Sequence, residues 1–452
     1  NGTLLGIESG DQNTHVFTWL STYPLAYYLL SFAVADYRDL SFKAGLSGEG
    51  DSVLVQNYIY NSDQVLADWE EEIRETGSMI TSFSSLLMDY PFSREKYGHA
   101  MAPMGGGMEH QTMTTIQSFS FSLVAHELAH QWFGDYITCG NWQDIWINEG
   151  FASYLEYIAA QELLGQEAAD HWMDNAMGIA MRSTEGSVFV PVDEVGDTYR
   201  LFDFSLSYKK GAILLHMIRF ILDNDSLFFS VLRQYLDAYG DGLATGEYFM
   251  SVLEEESQMD FSCFFKQWYY GEGFPTFALY WEQQGDSLKL QSEQSSSAPA
   301  ATPLFQVPFE LEIRYIDGTS SRVRLAQTSQ SDSFSIPVDG WVSDLTFDPD
   351  RHLLAVSSVM ELPSDSSKLI GSSPIRIGPN PFSDHLHIQV PNGLPFKEIR
   401  ITNLAGKEVH RERDLDNPLT LNLGTLSDGP YVLELSSPQG SYQERLLKIS
   451  EN

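Results

Sequence analysis

Two histidines that could bind one metal ion lie four positions apart in the segment HELAH, residues 126–130. Residues four apart share one face of a helix, so His126 and His130 can both turn an imidazole toward the ion. Glu127 is rotated off that face by one position, which makes it a poor ligand but a suitable base for an attacking water. The segment therefore predicts a metal site together with its general base.

A third ligand, Glu149, is predicted in the segment WINEGFASY, residues 146–154. Eighteen residues, 131–148, separate this glutamate from His130. The apolar spacing from Phe151 to Tyr157 is typical of a second helix that would carry this glutamate. Two histidines and one glutamate leave the fourth position of a tetrahedral zinc ion open for water. We therefore predict one zinc ion per chain, bound by His126, His130 and Glu149.

These segments resemble the zinc aminopeptidases of the aminopeptidase N and leukotriene hydrolase family, a gluzincin family with the third ligand at this same separation. Two further segments carry the resemblance. Residues 105–110, GGGMEH, resemble the family's Gly-x-Met-Glu-Asn strand, although His110 stands where the family usually has Asn. Residues 207–211, SYKKG, resemble its Tyr-x-Lys-Gly segment. The motifs occur in the family's order along the chain.

The resemblance implies a role for each of these motifs. Glu127 would take a proton from the attacking water and deliver it to the leaving amine. Tyr208 would donate a hydrogen bond to the oxyanion that the attack creates. Glu109 would bind the free α-amino group of a peptide and so select substrates that begin there. The other residues implied to bind substrate are those of the preceding strand, Gly106, Gly107 and Met108.

The resemblance and the apolar patterning together predict a multidomain α+β protein. Residues 1–52 are expected to be the end of a truncated N-terminal β-domain, with buried strands in residues 16–37. Residues 53–275 are expected to form a mainly helical, thermolysin-like zinc peptidase domain, which Gly and Pro residues terminate. Short alternating apolar segments between turns predict a β-sandwich over residues 276–360.

A Ser-rich linker, residues 361–373, precedes a separate unit that is predicted over residues 374–452. Residues 378–384, GPNPFSD, together with a central Gly406 and a terminal Lys448, resemble the type IX secretion sorting domain of Bacteroidetes. Several short strands separated by turn residues would be compatible with an Ig-like sandwich. The resemblance implies the secretion machinery as a partner and export across the outer membrane, to the medium or to the cell surface.

The composition narrows the possible partners. The chain has 452 residues, with 62 acidic and 26 basic side chains and a formal net charge of −36. Such an excess of negative charge argues against nucleic acid and anionic membranes as partners. Residues 16–37 are the one stretch apolar enough to suggest a membrane span, but Ser21, Pro24 and Ser31 interrupt it. No transmembrane segment is therefore predicted.

The sequence thus predicts an enzyme, a secreted zinc metalloaminopeptidase that hydrolyses N-terminal residues from peptides. The alternative is a peptide-binding or adhesive protein on the same fold with impaired catalysis. The complete set of ligands and the presence of Glu127 favour the enzyme.

Overall fold

The computed structural model describes residues 1–11, 14–48, 50–362, 376–378, 382–389, 397–403, 407–413, 419–427, 429–437 and 440–448. The chain divides into two compact units, Asn1–Glu361 and Leu362–Asn452. The predicted linker, residues 361–373, lies outside the described residues from position 363 onward. The finer boundaries that the sequence suggests stay predictions.

The N-terminal residues form an exposed ribbon, so the expectation of buried strands in residues 16–37 is wrong. β1 (Thr3–Ser9) and β2 (His15–Leu20) pair with each other in a two-stranded sheet, and every residue of β2 is exposed. A single 3-10 turn follows at Tyr27–Leu29. Phe32 and Val34 are 91% and 89% exposed. A ribbon of two strands covers neither of its own faces, so its apolar side chains stay in solvent.

A five-stranded sheet forms one wall of the first unit. Its strands are β3 (Tyr37–Gly45), β4 (Ser52–Tyr60), β5 (Tyr97–Met101), β6 (Gly107–Met108) and β7 (Thr114–Ile116), in the spatial order β3-β4-β5-β7-β6. β4 alternates buried and partly exposed residues because one face lies on the helices. The predicted domain boundary at residue 52 falls at the β3-β4 hairpin of this sheet.

Helices make up most of the remaining first unit up to residue 269. The α-helices are α1 (Asp63–Leu86), α2 (Phe121–Ala129), α3 (Trp146–Ala159), α4 (Gln166–Ala180), α5 (Thr198–Leu201), α6 (Gly211–Leu222), α7 (Asp225–Tyr239), α8 (Gly246–Ser257) and α9 (Ser262–Phe264). π-helical turns follow or precede them at Ala160–Leu164, Phe204–Lys210 and Phe265–Tyr269. Two short strands, β8 (Ile137–Cys139) and β9 (Gly242–Ala244), pair in parallel.

α3 is the central helix, since all fourteen of its residues are buried. A helix that is buried on every side is typical of the middle of a core. It crosses α6 where two glycines face each other. A Cβ atom added to Gly150 would lie 3.1 Å from the backbone of Gly211. The absence of both side chains lets the two backbones meet, and this fixes the residues just before α6 against the start of α3.

A two-sheet sandwich completes the first unit. Its strands are β10 (Pro275–Gln284), β11 (Ser287–Ser296), β12 (Pro308–Tyr315), β13 (Ser320–Ala326), β14 (Ser331–Pro337), β15 (Val342–Phe347) and β16 (Val356–Glu361). The sheets have the orders β14-β11-β10-β16 and β13-β12-β15. Phe277 of one sheet packs on Phe309 of the other, with ring centroids 5.4 Å apart. Two packed sheets thus lie in the range for which a sandwich is predicted, and its assignment as a separate domain stays a prediction.

The second unit contains two small sheets around one core. The strands are β17 (Arg376–Gly378), β18 (His385–Gln389), β19 (Glu398–Asn403), β20 (Glu408–Arg413), β21 (Leu419–Asn422), β22 (Gly429–Ser437) and β23 (Gly440–Lys448). Their orders are β17-β18-β21 and β20-β19-β22-β23. Leu386 from the first sheet and Leu433 from the second are buried in the same cluster. The Ig-like topology stays a prediction.

The first and last motifs predicted for this unit meet in space. Phe382 forms an isolated parallel bridge with Lys448, and the buried Lys448 ammonium donates to the Ser383 carbonyl oxygen. The same ammonium lies 3.4 Å from a carboxylate oxygen of Asp384. Of the remaining motif positions, residues 379–381 and Gly406 lie outside the described residues.

The Gly150–Gly211 crossing makes a stability prediction. Gly150→Ala should lower the free energy of unfolding of the first unit by about 1–3 kcal/mol, because the added methyl group overpacks the contact. Urea unfolding followed by tryptophan fluorescence would measure this, since all tryptophans in the sequence lie before residue 362.

The matched control for Gly150→Ala is Gly178→Ala. Gly178 lies in α4 with no neighbouring atom within 4 Å of an added Cβ, so this change should be neutral or stabilise by up to about 1 kcal/mol. Equal effects of the two substitutions would contradict the packing role.

Candidate metal centre and substrate pocket

The three predicted metal ligands come together where α2 packs on α3. The Nε2 atoms of His126 and His130 lie 3.1 Å apart. One carboxylate oxygen of Glu149 lies 3.3 Å from the first and 3.4 Å from the second. Ligand atoms at about 2.0–2.1 Å from a tetrahedral zinc ion lie roughly 3.3–3.4 Å apart. The donor set and its spacing therefore fit a zinc ion, and no other such group of three His, Cys, Asp or Glu residues occurs in the described part of the chain.

Both imidazoles are held in the tautomer that a metal requires. His126 Nδ1 donates to a carboxylate oxygen of Glu156 at 3.0 Å, and His130 Nδ1 donates to the Phe133 carbonyl oxygen at 3.0 Å. Since carbonyl and carboxylate oxygens only accept, the Nδ1 atoms carry the protons. Each Nε2 atom is then left to face the metal site, the arrangement seen when outer hydrogen bonds orient metal-binding histidines.

The charges of the site stabilise one another when no metal is bound. Burial disfavours charge on His126, but hydrogen bonds to Glu149 and Glu156 raise its pKa to about 9. Burial likewise opposes ionisation of Glu149, yet the two imidazoles lower its pKa to about 2. A metal cation would take the place of the protons that otherwise lie between these groups.

Glu156 is a functional candidate that the sequence reasoning missed. It is buried in α3 and accepts hydrogen bonds from three groups: His126, the Trp172 indole at 2.8 Å and the Lys209 ammonium at 3.0 Å. Burial would raise the pKa of this carboxyl, but Lys209 and His126 hold it lower. Its position seven residues after Glu149, two turns along the same helix, was a signal that could have identified it.

Glu127 is buried beside the predicted ligands, with one carboxylate oxygen, Oε2, that has no hydrogen-bond partner. Burial raises its pKa to about 7. A Cβ atom on Gly107 would lie 2.5 Å from this carboxylate, so the carboxylate occupies the space that a side chain would fill. Gly107 is predicted to bind substrate, and in the structure it makes room for the Glu127 carboxylate.

Tyr208 lies in the π-helical turn that precedes α6, a kind of distortion common at functional sites. Its ring stacks on that of His126 with centroids 5.8 Å apart and an interplanar angle of 15°. Burial, and next the neighbouring carboxylates of Glu149 and Glu109, raise the pKa of its hydroxyl well above the usual value. The hydroxyl is therefore a neutral donor at the edge of the metal site.

Glu109 directly follows β6 and is buried. Gly106 directly precedes β6, and its φ of +73° favours glycine. β6 is an edge strand, paired only with β7 among the described strands. Met108, half-buried, stands opposite Thr115 in this pairing. His110 stands at the position where the family has Asn. Its Nδ1 atom forms a hydrogen bond with the Thr115 hydroxyl at 2.8 Å, and the residue does not line the cavity.

One cavity of about 670 Å³ joins all of these groups. Every predicted site residue lines it: Gly106, Gly107, Met108, Glu109, His126, Glu127, His130, Glu149 and Tyr208. The residues that sequence reasoning did not identify include Tyr28, Asn148, Glu156 and Lys209. Asn148 and Lys209 are neighbours of predicted residues in sequence, whereas Tyr28 lies far from every motif and carried no sequence signal.

Two parts of the chain match models of known families. Residues 103–268 match the Peptidase family M1 domain, and residues 376–449 match the Secretion system C-terminal sorting domain. Both resemblances predicted from the motifs are confirmed by these matches.

Three curated relatives are aminopeptidases, and the chain spans less than two fifths of the length of each. A probable aminopeptidase 2 of Sulfurisphaera tokodaii is 33% identical over 42% of the chain and 25% of that protein. Aminopeptidase N of Lactococcus lactis is 33% identical over 38% of the chain and 21% of that protein. Mouse endoplasmic reticulum aminopeptidase 1 is 25% identical over 70% of the chain and 38% of that protein.

A solved structure supports the fold. Legionella pneumophila aminopeptidase A, crystallised in complex with aspartic acid, superposes with a TM-score of 0.67 over 79% of the chain and 42% of that protein. The sequence identity is 15%, so the likeness concerns the multidomain α/β fold alone.

The contact between Glu156 and His126 predicts an effect on metal affinity. Glu156→Gln should raise the zinc dissociation constant about 10–100-fold, because the imidazole loses its charged acceptor. Competition with a chromophoric chelator would measure this constant without any substrate. Glu162→Gln, which neutralises an exposed carboxylate just beyond the same helix, should leave it unchanged. A dissociation constant unaltered by Glu156→Gln would exclude this role for Glu156.

Proposed function

Because the chain carries a peptidase family M1 domain and a C-terminal sorting domain, we propose that it is an exported zinc aminopeptidase that removes N-terminal residues from peptides. The observation that carries the proposal is the cavity itself. It combines a three-ligand metal group, the partnerless carboxylate oxygen of Glu127 and the buried carboxylate of Glu109. These are the groups that hydrolysis at a free N-terminus requires.

His126, His130 and Glu149 would hold the zinc ion. When bound, zinc supplies a Lewis acid that polarises the scissile carbonyl and increases the acidity of water. Glu127 supports the next step because its free Oε2 atom can accept the proton of the attacking water. Its raised pKa, about 7, suits a group that then returns the proton to the leaving amine.

Tyr208 would stabilise the oxyanion of the tetrahedral intermediate. Its hydroxyl stays protonated because its pKa is raised, so it donates a hydrogen bond without adding a charge. The stacking of its ring on His126 keeps the hydroxyl at a set position relative to the metal ligands.

Glu109 would determine where cleavage occurs. A buried carboxylate in the cavity attracts the ammonium group of a peptide N-terminus, and a peptide that continued in that direction would leave it unpaired. The free edge of β6 offers backbone groups to which an extended peptide can bind as an added strand. An added Cβ at Gly106 would meet no atom within 4 Å, so this position leaves space for that approach, and Gly107 would bind the substrate through its backbone.

The second unit supports export as the fate of the protein. A domain that matches the secretion sorting family indicates passage through a type IX secretion system, with release or retention at the cell surface as the two outcomes. The described residues contain no helix of the length and apolar character needed to cross a membrane.

The base assignment predicts a separation of metal binding from turnover. Glu127→Gln should keep zinc near one ion per chain and lower kcat by at least about 100-fold, since the amide cannot accept the proton. Release of the chromophore from aminoacyl p-nitroanilides and metal analysis would measure the two quantities. Turnover retained by Glu127→Gln would remove Glu127 from the mechanism. Zinc binding without turnover by the unaltered chain would instead favour the peptide-binding alternative.

The oxyanion assignment predicts a different pattern for Tyr208→Phe. Loss of one hydrogen-bond donor to the oxyanion should lower kcat about 100-fold while KM and zinc content change little. Tyr199→Phe is the matched control, because Tyr199 is 90% exposed in α5 of the same unit. An unchanged kcat in Tyr208→Phe would exclude the hydroxyl from catalysis.

A further inference from the structure

Tyr28 reaches the substrate cavity from a part of the chain that has none of the motifs. It lies in the 3-10 turn Tyr27–Leu29, and its side chain lines the cavity beside Glu109. Its hydroxyl oxygen is 3.4 Å from Glu109 Oε1 and 3.3 Å from Asn148 Nδ2. Hydrogen bonds of this length are common in active sites before a substrate binds.

The direction of these hydrogen bonds follows from Asn148. The Oδ1 atom of this side chain accepts a hydrogen bond from the backbone N–H of Cys139 at 3.1 Å, which fixes the orientation of the amide. The Nδ2 atom therefore donates to the Tyr28 oxygen. Because that oxygen already accepts, its own proton is directed to the Glu109 carboxylate, which can only accept.

The turn that carries Tyr28 is anchored to the residues that follow Glu109. The Asn1 side chain donates to the Leu29 carbonyl oxygen at 3.1 Å and to the Gln111 carbonyl oxygen at 2.6 Å. The Gln111 side chain donates to the Pro24 carbonyl oxygen at 3.0 Å. Leu29 is fully buried, although Tyr27 beside it is 92% exposed. Tyr28 is thus held in place within an otherwise exposed segment.

We propose that Tyr28 is a positioning residue for the substrate amine. Its hydroxyl holds Glu109 Oε1, so that Oε2 is turned toward the ammonium group of the peptide. Asn148 stands next to the metal ligand Glu149, so the chain Asn148–Tyr28–Glu109 connects the amine pocket to the metal-binding helix. This inference rests on the proposed aminopeptidase function.

The test compares two inhibitors that differ only at the amine. Leucine hydroxamate and N-acetyl-leucine hydroxamate both offer a metal-binding group, and only the first has a free amine. The unaltered, zinc-loaded full chain should bind the free-amine compound more tightly. Tyr28→Phe should weaken binding of that compound about tenfold and leave the acetylated one unchanged, because a hydrogen bond to the charged acceptor is lost.

Two further variants complete the comparison. Tyr27→Phe removes the same hydroxyl one residue away, from an exposed ring, and should keep the unaltered ratio of inhibition constants. Glu109→Gln should abolish the preference for the free amine. A Tyr28→Phe ratio equal to that of the unaltered chain would overturn the proposal. Equal weakening of both compounds would also overturn it, since a general structural effect does not depend on the amine.

The result for the unaltered chain distinguishes a failure of the Tyr28 role from a failure of the proposed function. If it hydrolyses aminoacyl p-nitroanilides and prefers the free-amine inhibitor, while Tyr28→Phe behaves identically, the role of Tyr28 alone is wrong. If it shows neither turnover nor preference, the proposed function is wrong and the amine role of Tyr28 is overturned with it.

Discussion

The contact between α2 and α3 places two imidazoles and a carboxylate within 3.4 Å of one another inside an apolar core, and the surrounding structure is arranged to satisfy them. Uncompensated charges at such a depth would cost several kcal/mol each. Neighbouring side chains compensate these charges through hydrogen bonds and ion pairs. Glu156 accepts a hydrogen bond from His126, and the Lys209 ammonium neutralises its charge. The Trp172 indole donates a hydrogen bond to the other carboxylate oxygen of Glu156. A buried lysine and a half-buried tryptophan thus support His126, one of the predicted metal ligands.

The site also requires glycines, because they determine how closely its strands, helices and side chains can approach one another. Gly107 leaves the space that the Glu127 carboxylate occupies, and Gly150 with Gly211 lets α3 and α6 touch through their backbones. The second contact fixes the turn that carries Tyr208 relative to Glu149. The glycines that stand within the sequence motifs therefore act through packing as much as through any freedom of the backbone. A methyl group at either place would move a proposed catalytic side chain rather than merely fill a space.

The N-terminal segment shows how an exposed stretch can still contribute to a buried site. Its ribbon and the residues around Phe32 leave apolar side chains in solvent, yet Leu29 is fully buried and Asn1 ties the turn to Gln111. The result is a tyrosine hydroxyl within hydrogen-bonding distance of Glu109. Apolar patterning predicted burial throughout this segment, because a pattern of side chains records which face is apolar and not whether another element covers it.

The group of His126, His130 and Glu149 was predictable from the sequence, because helical periodicity and the coordination preference of zinc are local rules. The sequence also predicted a mainly helical region, a run of short strands after it and the sorting unit, whose patterns are equally local. Glu156 was within reach of the same periodicity. Tyr28 was not, since its place beside Glu109 depends on contacts between segments about eighty positions apart. Long-range packing brings such residues together, so their proximity is visible in the fold and not in the local spacing of the sequence.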